Sequence, residues 1–113
     1  MSTIYKIATI SAFTRGLKYL KRKNHRDMSL LAEPVELLRQ GKTEEMIRRY
    51  RDHALTGNWS GFREFHVQAD WLVIYFLAED KVTFALTRTS THDDLYRNAD
   101  RTTIQSYRKA LSQ

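Results

Sequence analysis

The sequence predicts an α+β fold, and three features of its patterning predict it. After one short β-branched stretch, apolar residues recur at helical spacing as far as Gly41. Beyond Gly57 the spacing becomes strand-like. The apolar runs found there are separated by only a few polar residues, short enough for a meander. A chain of 113 residues suits one compact domain. No repeat, low-complexity stretch or linker divides it, so residues 1–113 are read as a single domain.

Residues 4–10 are rich in β-branched side chains and read as the first strand. Ser11 is a candidate N-cap for a helix with Phe13, Leu17 and Leu20 on one face and a basic run ending near Asn24 on the other. Asp27 can cap a second helix that carries Met28, Leu31, Val35 and Leu38 inward and stops at Gly41. Pro34 lies inside that pattern, so the helix either kinks there or begins late. Residues 43–50 read as a short helix or turn. Strands follow at 61–67, 71–77 and 82–89, the middle one apolar on both faces and therefore central. Residues 100–111 are polar and helical in character, either a docking helix or a tail. The expected architecture is a small antiparallel sheet, made of the N-terminal strand plus a three-stranded meander, packed by two N-terminal helices.

Hydrophobic residues make up 42% of the chain, enough for a core and against disorder. Net charge is +6 and the pI is about 9.8, which points to a polyanionic partner. The distribution sharpens this, because no acid interrupts Arg15, Lys18, Lys21, Arg22, Lys23 and Arg26. A second basic group is Arg48, Arg49 and Arg51. With no cysteine, disulfides, thiol catalysis and thiolate metal sites are excluded. No stretch resembles a signal peptide or reaches the roughly 20 apolar residues of a membrane span. A cytoplasmic protein without membrane contact is expected.

The meander also places reactive residues. With the first turn near Gln68 and Ala69, paired positions sum to about 137, putting His66 opposite Trp71. With the second near Glu79 and Asp80, they sum to about 159, putting Trp71 opposite Arg88. Opposed residues share a face, so these three would form one row. Asp70 begins the central strand, and Thr91 and His92 lie just past the last one. Histidine can accept or donate a proton near neutral pH, arginine can hold a phosphate, and aspartate can act as base or orient a histidine. Those are the needs of metal-free RNA cleavage by a 2′-hydroxyl. A metal site from His53, His66, Asp70 and His92 matches no standard ligand spacing, so neither metal nor cofactor is expected. His25, in a run of basic residues, reads as surface.

Four groups of residues carry a resemblance: Asp52-His53 with Leu55, Gly57 and Trp59; His66-Val67 with Asp70-Trp71; Arg88-Thr89 with Thr91-His92; and the aromatic Tyr96. Together they resemble the YafQ branch of the RelE/ParE toxin superfamily, most strongly from Asp52 onward. The resemblance implies a RelE-like fold and a ribosome-dependent endoribonuclease that cuts messenger RNA. It implies silencing by a cognate DinJ-like antitoxin, in a complex expected to be a heterotetramer that reaches operator DNA only through the antitoxin. Carried onto matching positions, it makes His53, His66, Asp70 and His92 catalytic, with His92 as general acid. Trp71 would shape or stack in the site, Tyr96 would take the place of a functional aromatic, and Arg88 would bind phosphate. Ala54 departs from a common proline, and residues 97–113 extend past the family's usual end. Two rival readings are a non-catalytic, ParE-like inhibitor of DNA gyrase and a basic RNA- or ribosome-binding module. Neither needs the histidine set.

Overall fold

The structure is a computed structural model and describes residues 4–97 and 100–111. Of the C-terminal extension, residues 98–99 and 112–113 lie outside the described residues. The elements are β1 (Lys6–Thr9), α1 (Ser11–Lys23), α2 (Ala32–Arg39), α3 (Thr43–Tyr50), β2 (His53–Ala54), β3 (Arg63–Gln68), β4 (Trp71–Leu77), β5 (Thr83–Ser90), α4 (His92–Arg97) and α5 (Arg101–Leu111). Single 3₁₀ turns lie at Met28–Leu31 and Gly57–Trp59.

Helix α1 buries Phe13 and Leu20 and leaves its basic face to solvent. Ser11 is its first residue and makes no side-chain cap; Ile10 occupies the cap position. Asp27 does cap, accepting the Ser29 backbone N–H at 3.0 Å, but it starts the 3₁₀ turn. Helix α2 proper begins late, at Ala32. Pro34 therefore falls in the first turn, where a missing N–H breaks no helical bond. Gly41, at φ 70°, ends the segment in the left-handed conformation that favours glycine.

The fold class is the expected one, with two differences in the sheet. It has five strands in the order β1-β5-β4-β3-β2, and β1 runs parallel to β5 while the other pairs are antiparallel. No local turn joins β1 to its neighbour, so nothing in its own sequence carries its direction. Strand β2 is only two residues long, too short to show a period. The register also slips. His66 faces Leu72, the turn at Ala69 and Asp70 puts Gln68 opposite Trp71, and a bulge separates the two pairs. Arg88 faces Ile74 because the second turn is longer than assumed, closed by Ala78 N–H to Thr83 O at 2.8 Å, and because a bulge at Ile74/Tyr75 shifts the pairing by one more residue.

Both faces of the sheet are covered. Helices α1 to α3 lie on one face, over Phe65, Val73, Tyr75 and Leu86. On the other, Leu72, Ile74, Phe76 and Ala85 pack under Trp59, Phe62, Leu95 of α4 and Ile104 of α5. Residues 71–76 of β4 are accordingly buried, as its two-sided apolar sequence requires. Of the two readings of the C-terminal segment, the docking helix is the one observed. No helix among the described residues is long and apolar enough to cross a membrane.

Candidate active site

Residues two apart on a strand share a face, so Glu64 and His66 of β3 point the same way. Strand β2 then places His53 directly opposite Glu64. The three side chains converge: His53 Nε2 and His66 Nε2 each lie 3.6 Å from Glu64 Oε1, with the two rings 6.3 Å apart. Glu64 is only 3% exposed. A carboxylate this deep needs partners to offset its lost hydration. Its second oxygen accepts the Tyr96 hydroxyl, which α4 brings down onto the sheet. Burial, and then this bond to Glu64, push the Tyr96 phenol well above the usual tyrosine range, so it stays a donor.

His53 lies 2.8 Å through Nδ1 from the Arg51 carbonyl. A carbonyl only accepts, so Nδ1 carries the proton and Nε2 faces the carboxylate. The His53 side chain is 50% exposed against 22% for His66, making His53 the more open of the two. His66 Nδ1 is buried without a hydrogen-bond partner among the described residues. At the other end of the network, the His92 ring packs against Tyr96 with centroids 4.8 Å apart. Asp70 accepts the His92 backbone N–H at 3.2 Å and so anchors the start of α4. Its own strand turn is tied to the α1–α2 link by Arg26, whose Nη1 donates to Gln68 at 2.7 Å. Contacts therefore run from His53 and His66 through Glu64 and Tyr96 to His92 and Asp70.

Two expected site residues are placed elsewhere. Trp71 is fully buried on the helix-covered face, its indole N–H donating to Thr89 Oγ1 at 2.9 Å. The bulge between His66 and Gln68 takes it out of the His66 row, and its burial leaves the ring closed to stacking on a base. Arg88 shares the face of Glu64, but Ile74 stands between them. Its guanidinium bonds Asp94 and the Tyr107 hydroxyl, each at 3.3 Å. His25 is exposed, as expected.

Glu64, the centre of the cluster, was not singled out from sequence. Flanked by Arg63, it reads as an exposed strand residue; the signal that could have found it is its i, i+2 relation to His66. His53, Glu64 and His66 also offer ligand atoms within 4.8 Å of one another, so this cluster can hold a metal ion. That set differs from the one weighed from sequence, with Glu64 in place of Asp70 and His92.

Comparison with known proteins finds relatives over most of the chain. Residues 5–97 match a family described as the bacterial toxin of type II toxin-antitoxin systems, YafQ. The chain is 39% identical over 77 residues to the mRNA interferase toxin YafQ of Escherichia coli K12, covering 68% of this chain and 80% of that protein. A solved E. coli DinJ–YafQ toxin-antitoxin complex superposes with a TM-score of 0.66 at 34% identity, over 81% of this chain and 97% of the other. A copper-bound mutant toxin from Helicobacter pylori gives 0.71 at 30% identity, over 82% and 100%. The chain belongs to the YafQ family of bacterial toxins from type II toxin-antitoxin systems.

Proposed function

We propose that this protein is an endoribonuclease that cuts messenger RNA on the ribosome and is silenced by a DinJ-like antitoxin. The observation that carries the reading is the cluster of two histidines on buried Glu64, linked through Tyr96 to a third histidine. The mRNA interferase activity of the E. coli relative supports it. The non-catalytic readings have no use for such a cluster.

In this reading the RNA 2′-oxygen attacks the adjacent phosphorus and the bond to the 5′-oxygen breaks. His53, more exposed than His66, faces the substrate and shares removal of the 2′-proton with the Glu64–His66 pair. His92, at the open end of the network, gives its proton to the departing 5′-oxygen. Asp70 holds His92 through the backbone, which makes it a positioning residue. Tyr96 keeps Glu64 in place, and Arg88 binds phosphate at the flank. The reaction needs no metal. An ion held by His53, Glu64 and His66 would occupy the nitrogens that move protons.

The DinJ–YafQ complex supports an antitoxin partner, and two copies of each chain is the stoichiometry that the family resemblance implies. A cytoplasmic location goes with translation as the target. The test adds purified protein to a defined translation reaction and maps 5′ ends on the message. Wild type should create new ends bearing 5′-hydroxyls, with 2′,3′-cyclic phosphates on the upstream fragments. His92→Ala should slow their appearance by about 10²- to 10⁴-fold while retaining the fold. No new ends with wild type would refute the nuclease.

A further inference from the structure

We propose that the cavity between α1, β5 and α5 is a second contact for the RNA strand, holding a phosphate between Arg15 and Arg88 and a base against Tyr19. The inference rests on the RNA-cleaving reading and gives that site an extended substrate path. The cavity is about 310 Å³, and Arg15, Tyr19, Arg88, Ser90, Asp94 and Tyr107 line it.

Its walls meet because of a glycine. Strand β1 pairs with β5 only at Thr83–Leu86, so the rest of that edge is left to α1. A Cβ at Gly16 would stand 2.3 Å from the Thr89 carbonyl oxygen, closer than any side chain can come. Glycine there lets the helix lie on the strand edge. Arg15 beside it, and Tyr19 one turn on, are thereby brought to Arg88. Tyr107 closes the far side, and it lies beyond the family-matched residues 5–97.

The chemistry fits a single-stranded polyanion. Arg15 makes no hydrogen bond or ion pair among the described residues, and Tyr19 is 57% exposed. Lys18 and Arg22 continue the exposed basic face of α1. Cations that follow a backbone, with an aromatic ring as a stacking platform, are how proteins hold single strands. Asp94 is the one acid among the lining residues, and its 3.3 Å pairing with Arg88 is the contact a phosphate would replace. The position also fits. Ser90 pairs with Leu72, and Leu72 with His66, so the cavity lies about two strand spacings, ~10 Å, from the histidine cluster. A strand bound at the cluster reaches it within its neighbouring nucleotides.

The experiment measures binding of a fluorescent, single-stranded 2′-O-methyl oligonucleotide, whose blocked nucleophile prevents cleavage. Arg15→Ala and Tyr19→Ala should each weaken binding at least about fivefold, the lower range for loss of one stacked base or phosphate contact. Arg15→Ala should also reduce the slope of log affinity against log salt by about one. Lys23→Ala removes the same charge from the same helix outside the cavity and should do much less. Asp94→Asn should tighten binding, and Asp93→Asn should not. Equal losses for Arg15→Ala and Lys23→Ala would mean diffuse attraction and overturn the proposal, as would no binding by wild type. Weakened binding of an acidic antitoxin peptide with unchanged RNA binding would also overturn it, assigning the surface to the other partner. The nuclease reading is scored separately by new 5′ ends in translation, so the two can fail independently.

Discussion

At the scale of single residues, Tyr96 shows how the site and stability are joined. Its hydroxyl is the one direct hydrogen-bond donor to Glu64 among the described residues, since the two imidazoles stand at 3.6 Å. Tyr75 likewise donates to buried Asp52 on the other face, which also accepts Arg63 Nε–H. In both cases burial first, and the neighbouring carboxylate second, raise the phenol above its ordinary range. Tyr50, half-buried against the core, is also pushed up, to about 12, by burial first and by its bond to Glu33 second. An unfolded chain releases these protons near pH 10, whereas the folded chain keeps them longer. Their contribution to stability is therefore fully present below about pH 10 and lost as pH rises above it. Denaturant midpoints should fall through that alkaline range, and Tyr96→Phe should flatten the fall. At neutral pH the same variant should cost about 1–3 kcal/mol, because Glu64 loses its donor while still buried. A neutral-pH midpoint unchanged by Tyr96→Phe would contradict the role given to that bond. His66, Asp70 and His92 were legible in the strand pattern, whereas His53 and Tyr96 were drawn from the resemblance alone. Glu64 was not legible, because whether a glutamate in a strand is buried depends on what covers that face.

At the scale of elements, the sheet shows which features are local and which are not. Strands β3, β4 and β5 were legible because alternation and short connections lie within the segment itself. Their register was not, because a bulge at His66/Gln68 and another at Ile74/Tyr75 shift pairing without a strong sequence mark. Trp71 was misplaced by these register shifts together with the length of the second turn. Strand β2 is the extreme case, two residues that bring His53 to Glu64. What holds it is the residue before it. Asp52 is 4% exposed and accepts Arg63 Nε–H at 2.7 Å and the Tyr75 hydroxyl. Since side chains alternate, Asp52 pins the strand from one face while His53 works on the other. Asp52→Ala should leave the Tyr75 hydroxyl buried without that acceptor and cost about 1–3 kcal/mol. It should also reduce RNA cleavage, although Asp52 touches no substrate. The split is checked by chemical denaturation beside the mapped-5′-end assay. Cleavage as fast as wild type in the folded variant would show that β2 needs no anchor.

At the scale of the whole molecule, the question is what closes the second face of the sheet. The two-sided apolar run of β4 announced that both faces would be covered, and α1 to α3 account for one of them. The cover on the other was hard to read because α5 is polar along most of its length. It docks through few residues: Ile104 is 2% exposed, and Tyr107 stacks on Trp59 at 6.1 Å with planes 13° apart. Arg108 lies 5.1 Å over both the Phe62 and Phe76 rings and donates to the Gly61 carbonyl at 2.8 Å. An arginine used this way works as apolar cover as much as charge, which composition does not reveal. Because the family match stops at residue 97, α5 is an addition to the common fold, yet here it shields Trp59, Phe62 and Phe76. Ile104→Ala should therefore behave as a core truncation and cost about 2–5 kcal/mol. Ending the chain after Arg97 should do more, exposing a contiguous aromatic surface that favours self-association. Thermal unfolding and light scattering of both variants test this together. A truncated chain as stable and as monomeric as the full one would show that α1 to α4 already make a complete fold and that α5 only rests on it.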